Sequence, residues 1–407
     1  MIVAFHPLGV RQDGAEWIVG RVDSGDFVVV PEEGMRAIRL LQDGLSVDQV
    51  RARLLTEAGA DLDVADFVAD LSEAGLVAEI DGRPVASPPP LRPTFPRLKP
   101  RHLRWALHPA LHLALLAPIC AGIACLIARP AVFPDLQTAL WTGHGALVLL
   151  SWTVLAWLTT GLHELAHLVT ARAAGVPAQM SLGTRLQFLV AQTDVSGVWA
   201  APTRVRVTVY LSGIALDLAI CGAALTWTYV AGPHPLAAWI ILIQLARVAY
   251  QLLVFTRTDL YFLLQDLTGC RNLYGDGRAY MLALTRGRRG TLNGLPPRER
   301  AAVRCYALLQ AAGTLACLAL AALVMLPLLG TLIAQAAQHL LHADDPLAMA
   351  EALVVLVLVV APELLWLRTW WRGHGRRVRA WLTSRGWRAW CPWRPRTREE
   401  PGRAGSP

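Results

Sequence analysis

The sequence predicts a polytopic α-helical membrane protein of about six transmembrane helices, preceded by an N-terminal winged-helix-like α/β domain. Three observations carry that prediction. The 407 residues are 54% hydrophobic and only 17% charged, which is apolar for a soluble chain of this length. After residue 104 the apolar residues gather into runs long enough to cross a bilayer. Charge is also divided unevenly: residues 1–80 hold 15 acidic residues against six arginines, a balance of −9, so the remainder carries +17.

The first 81 residues read as a small domain. WIVGRV (17–22) and DFVVVP (26–31) are β-rich runs separated by DSG, a hairpin signal. EEGMRAIRLLQDG then reads as a helix ending near Gly44. Ser46 and Gln49 have the spacing of a capping box for a second helix, SVDQVRARLLTEAG. Asp63 caps a third, DVADFVADLSEAG, which Gly75 stops before the strand-like LVAEI. Two strands and three helices of this kind predict a winged helix. A surface of −9 repels phosphate, which argues against a nucleic-acid partner. The start, MIVAFHPLGVRQDG, lacks the charged region and apolar core of a signal peptide. Residues 82–104 contain seven prolines and six basic residues, the composition of a semi-rigid linker.

The membrane part, 105–368, divides into six expected spans: 105–128, 140–171, 207–230, 235–257, 303–334 and 347–368. Loop charge orients them. The linker is basic, 270–302 carries Arg271, Arg278, Arg286, Arg288, Arg289, Arg298 and Arg300, and the tail 369–407 is Arg-rich. The alternate loops, 130–139, 231–234 and 335–346, contain no Lys or Arg. The positive-inside rule therefore places both termini in the cytoplasm. In the tail, Trp370, Trp371, Trp381, Trp387, Trp390 and Trp393 interleave with arginines, a mixture suited to anchoring at an anionic lipid surface. The seven cysteines are scattered and form no CxxC, so they suggest neither a cysteine metal site nor a disulfide framework.

One cluster breaks the apolar pattern. HELAH, 163–167, lies inside ALVLLSWTVLAWLTTGLHELAHLV, where ionisable residues are functional-site candidates by default. On a helix His163 and His167 share one face and can ligate one metal ion together, with Glu164 beside it as a base. This is the HExxH arrangement of zinc metallopeptidases. A third ligand is needed, and Asp217 and Asp259 are the intramembrane candidates. Asp217 sits about ten residues into its span, deeper than the histidines by helical rise. Asp259 stands at the same depth as HELAH, which favours it; Asp217 then reads as a polar helix contact or a support behind the ligands.

With these residues in place, the chain resembles the site-2-protease-type intramembrane zinc metallopeptidases, in particular the peptide zinc metalloprotease branch. The likeness rests on HELAH, on Gly213 followed four residues later by polar Asp217, and on the stretch from Gln251 through Asp259, Leu260, Tyr261 and Phe262 to Asn272 and Leu273. It implies Zn2+ held by His163, His167 and Asp259, with Glu164 catalytic and Asp217 or Gln251 supporting the ligands or positioning substrate. Gln251 stands where the family has Asn, Val254 where it has Pro, and Leu260 where it has Gly. Residues 1–80 resemble PqqD-like peptide-recognition domains through GDFVVVPEEGMRAIRLLQDG and DVADFVADLSEAGLV. Such domains take up a precursor's leader peptide as an added strand.

The resemblance implies a zinc endopeptidase of a bacterial-type inner membrane. Its expected substrate is a ribosomally made precursor peptide of the modified-peptide class, cut at the cytoplasmic face to remove a leader. The expected partners are that peptide and the lipid bilayer. The segment 179–199 alternates weakly, has no helical stripe, and predicts a β-hairpin whose edge could hold a substrate extended. The alternative is a non-catalytic membrane subunit for peptide export or self-immunity.

Overall fold

The computed structural model describes residues 1–383 apart from 60, 271, 288–291, 293, 294, 343 and 344. Arg271, Arg288 and Arg289 of the basic loop and Trp387, Trp390 and Trp393 of the tail lie outside the described residues.

The N-terminal unit is a small sheet domain. Strands β2 (Gly9–Asp13), β3 (Glu16–Arg21) and β4 (Asp26–Pro31) form an antiparallel meander. β1 (Val3–Phe5) pairs with β5 (Val77–Ile80), which also pairs with the short β6 (Arg83–Pro84). Between β4 and β5 run the three expected helices, α1 (Glu32–Gln42), α2 (Val47–Ala58) and α3 (Val64–Glu73). The local signals act as the sequence predicts. Ser46 and Gln49 close a reciprocal capping box, and the Asp63 carboxylate accepts from the backbone N–H of Ala65 and Asp66. Caps of this kind contribute about 1 kcal/mol each. Val19, Ile38, Val50, Leu54, Val68 and Leu76 are among the buried residues of one apolar core. β1 and β2 were not expected; β1 depends on a partner strand more than seventy residues away, which no local pattern announces.

Residues 82–104 stay largely exposed but are pinned rather than free. Arg21 donates to the Pro88 carbonyl at 3.0 Å, and Leu91 N–H donates to the Asp23 carbonyl at 2.7 Å. Thr94 N–H donates to the Ala178 carbonyl at 3.0 Å, and Arg172 donates to the Leu98 carbonyl. The stretch ends in a short helix, α4 (Pro100–Leu103), and a 3-10 turn.

Five helices or helical runs are long and apolar enough to cross a membrane among the described residues. They are α5 (Pro109–Ala128), α7 (Gly145–Ala173), α8 (Thr203–Ala231), the run Pro297–Leu341 and the stretch Pro346–Arg376. The short α6 (Leu136–Ala139) precedes α7. The run from Pro297 comprises α12 (Pro297–Leu320), a π-helical turn at Ala321–Met325, and α13 (Leu326–His342). The stretch from Pro346 lies in α14 (Pro346–Thr383). The expected fourth span, 235–257, is a shorter apolar helix, α9 (Pro235–Gln251). The apolar LLVF that follows Gln251 made the span read longer, but the backbone turns there. Val254–Thr256 form a 3-10 turn, and Arg257 takes left-handed φ of 62°. The chain restarts as α10 (Asp259–Thr268), followed by α11 (Leu273–Thr285).

α8 is the hub. Half of its apolar window is buried, against 6–11% for the other four. It packs on α5, α7 and α9. At the α5 crossing, Gly122 meets Gly222, where a Cβ on Gly222 would lie 2.2 Å from the Pro118 oxygen. Small residues at such crossings let helix backbones approach closely. A β-hairpin, β7 (Gln179–Arg185) and β8 (Phe188–Asp194), fills the interval between α7 and α8, as the weak alternation predicts. Its tip is fastened by Trp366 of α14, whose indole N–H donates to the Leu186 carbonyl at 3.0 Å.

Candidate metal centre

α7 carries the polar cluster inward. His163, Glu164 and His167 are all buried, while Leu158 and Leu162 on the same helix are exposed. The helical repeat brings the two Nε2 atoms to 3.1 Å from each other. α10 supplies the next group: its first residue, Asp259, places Oδ2 3.1 Å from His163 Nε2 and 3.2 Å from His167 Nε2. These three residues form the described group that could hold a metal ion.

The backs of the rings explain the fronts. His163 Nδ1 faces the Asp217 carboxylate at 2.7 Å, and His167 Nδ1 faces the Val209 carbonyl at 2.8 Å. Both partners accept only, so in the neutral imidazoles each Nδ1 carries the proton and each Nε2 presents a lone pair. With the Asp259 oxygen, three lone pairs then converge on one point with no proton among them. Such a cluster calls for a positive charge, and a metal cation can serve all three donors at once. The edges of the triangle, 3.1–3.2 Å, are close to the roughly 3.4 Å separating tetrahedral ligands with metal bonds of about 2.1 Å. Ring N–H groups held by a carboxylate and a carbonyl are also the usual support of metal-binding histidines.

Packing enforces this geometry. Gly213 of α8 lies against the imidazoles; a Cβ there would stand 2.6 Å from Nε2 of both His163 and His167. Asp217 is one turn further on and fully buried, so the same helix face that admits the rings also delivers their partner. Gln251 clasps Asp259 from two sides. Its amide donates to Oδ2 at 2.8 Å, and its carbonyl accepts from Asp259 N–H at 3.0 Å. Thr258 locks the turn by donating to the Gln251 carbonyl at 2.7 Å. Arg257 turns away to cover the Tyr274 ring.

Glu164 points toward the hairpin, where the Thr193 hydroxyl donates to Oε2 at 2.7 Å. β8 is therefore fixed directly beside the Glu164 carboxylate. Among the sequence-predicted residues, His163, His167, Asp259, Asp217 and Gln251 come together, with Glu164 adjacent on the same helix. Thr193, Ser212 and Arg247 were missed. Ser212 Oγ lies 3.3 Å from His167 Nδ1, and Arg247 forms an ion pair with Asp217 at 3.5 Å. Arg247 alone had a sequence signal, as an arginine within an apolar helix.

The N-terminal domain docks at this end of the bundle. Val22, just beyond β3, packs against a cluster containing Leu168 of α7, Val176 just after that helix and Val198 from the turn before α8.

No protein-family model matches the chain, and neither do any curated proteins or solved structures.

Proposed function

We propose that the protein is a membrane-embedded zinc endopeptidase that removes the leader of a ribosomally made precursor peptide at the cytoplasmic face. The observation that carries this reading is the convergence of the His163, His167 and Asp259 donor atoms within a buried, Gly213-gated site that has Glu164 beside it. Three protein ligands, which leave one position of a tetrahedral zinc for water or substrate, are the pattern of catalytic rather than structural zinc. Bound there, zinc would act as a Lewis acid, polarising a carbonyl and acidifying water. Glu164 takes a proton from water and returns it to the departing amine. Thr193 holds the Glu164 carboxylate in place and ties it to β8. The hairpin then offers a strand edge along which an extended peptide can lie across the site.

Residues 1–80, in the PqqD-like winged-helix reading, capture the leader. In the β2-β3-β4 meander β4 is an outer strand, an edge along which a leader can add. The basic loops support a cytoplasmic position for this domain, the linker and the metal centre.

The test is steady-state cleavage of internally quenched peptides, with and without a basic leader, by detergent-purified protein. Glu164→Gln should abolish turnover while keeping peptide binding. Deleting residues 1–80 should raise KM for the leader-bearing peptide and leave kcat near its native value, because tethering supplies an effective concentration of order mM. Equal cleavage of both peptides by the truncated protein would remove the recognition role. Unchanged turnover in Glu164→Gln would remove the peptidase reading.

A further inference from the structure

Behind His163 lies a second layer of charge. Asp217 is fully buried, and its side chain faces two groups: His163 Nδ1 at 2.7 Å and Arg247 Nε at 3.5 Å. Arg247 reaches from α9 and is itself only 13% exposed. Its Nη2 donates to Thr159 Oγ1 at 2.7 Å and to the Ala156 carbonyl at 3.2 Å, both on α7. Thr159 stands one turn before His163. Arg247 thus joins the helix of the ligand, the helix of the ligand's partner and its own. Its contact with Asp217 is one of charge, because neither Arg247 Nε nor Asp217 Oδ1 has a hydrogen-bond partner.

The charges of the site also add up to a definite total. Glu164, Asp217 and Asp259 are three carboxylates, and Arg247, paired with Asp217, is the guanidinium set against them. The sum is −2, which a divalent cation neutralises. In the apolar interior of a bundle, an uncompensated carboxylate is strongly unfavourable.

We propose that Arg247 is a positioning residue of the metal centre: as the counter-charge of Asp217, it fixes the carboxylate that holds the His163 ring in its ligating orientation. This inference rests on the metal reading above and extends it by one layer. Arg suits the role because it is always charged and can engage a carboxylate and two α7 oxygens from one planar group. Groups that orient a ligating histidine are worth roughly 10–100-fold in metal affinity.

The experiment measures the Kd for Zn2+ alone, by chelator competition on full-length protein in detergent. Native protein is compared with Arg247→Met, Arg247→Lys and the double variant Arg247→Met/Asp217→Asn. Arg247→Met leaves Asp217 without its counter-charge and should weaken zinc binding by at least 10-fold. Arg247→Lys keeps the charge but not the planar fork, and should lose clearly less affinity than Arg247→Met. The double variant removes both charges, while Asn still accepts the His163 Nδ1 proton; it should return to within about 3-fold of native. If Arg247→Met cannot be recovered folded, the double variant should fold and bind zinc. The proposal is overturned if Arg247→Met binds as native, if Lys is as weak as Met, or if the double variant is no better than the single one or also fails to fold. Native protein that binds no zinc sinks the metal reading itself, whereas zinc-binding native protein with an indifferent Arg247 sinks only this inference.

Discussion

The N-terminal domain and the helical bundle are built inside out with respect to each other. In the domain, the apolar core is Val, Ile, Leu, Met and Ala, and Arg21 is the one buried charge among the described residues. In the bundle, Leu116, Val154, Leu158, Leu315 and Leu323 are exposed, while His163, Glu164, His167, Asp217, Gln244 and Gln251 are buried. Water drives the first arrangement, and the second is the one a lipid bilayer permits. Apolar side chains gain little by leaving lipid, so helices associate through close packing and polar contacts. Gly122 against Gly222 and Gly213 against the imidazoles are the packing part. The polar part is also the candidate site. In the domain, burial therefore reports stability, whereas in the bundle it reports chemistry.

That contrast can be broken by substitution. The largest expected effect is in the domain core. Leu54→Ala, at a fully buried position, should destabilise residues 1–80 by about 2–5 kcal/mol, read by hydrogen exchange of the full chain in detergent. Leu158→Ala, at an exposed position on α7, should cost under about 1 kcal/mol by the same measurement. Equal costs would show that the bundle is held by ordinary apolar burial. The next effect is Gly213→Ala. In an ordinary helix interior this change stabilises by about 0.5–1 kcal/mol. Here the added Cβ would overlap both rings, so metal affinity should fall about 10-fold with helical content preserved. An unchanged affinity would mean the rings are free to move.

The smallest effect concerns the clasp that fixes the linker to the domain. The Arg21 guanidinium, hydrogen-bonded to Asp23, holds that carboxyl below the usual carboxylate range. A depressed folded-state value adds stability above the unfolded pKa of about 3.9, and that contribution is lost as pH falls through the folded value. Proteolytic nicking between residues 85 and 98 should therefore be flat from pH 8 to pH 5 and rise only below about 4. Asp23→Asn should show the loosened state at neutral pH. A transition near pH 6 would contradict the assignment to Asp23.

Legibility in the sequence followed the same division. In the domain, capping boxes and helix stops act over three or four residues, so Ser46, Asp63 and Gly75 could be read directly. The pairing of β1 with β5 is non-local and could not. In the bundle, polar residues in apolar runs announced His163, Glu164 and His167, and depth singled out Asp259. Depth set Asp217 apart from the ligands and left it as a polar helix contact or a support behind them. Because α8 passes close at Gly213, Asp217 reaches the rear of the His163 ring. Thr193 and Ser212 carried no signal, since an isolated hydroxyl in a hairpin or a span is common. Arg247 carried one, but its meaning depended on which helix α9 packs against.

The central claim is that His163, His167 and Asp259 hold a divalent metal while Glu164 does not. Elemental analysis of the detergent-purified full chain tests it most directly. The account predicts about one zinc per chain in the native protein and in Glu164→Gln. It predicts near-complete loss in His163→Ala and His167→Ala, and affinity lowered 10-fold or more in Asp259→Ala. Native protein that cannot be loaded with zinc, or full occupancy in both histidine variants, would contradict it.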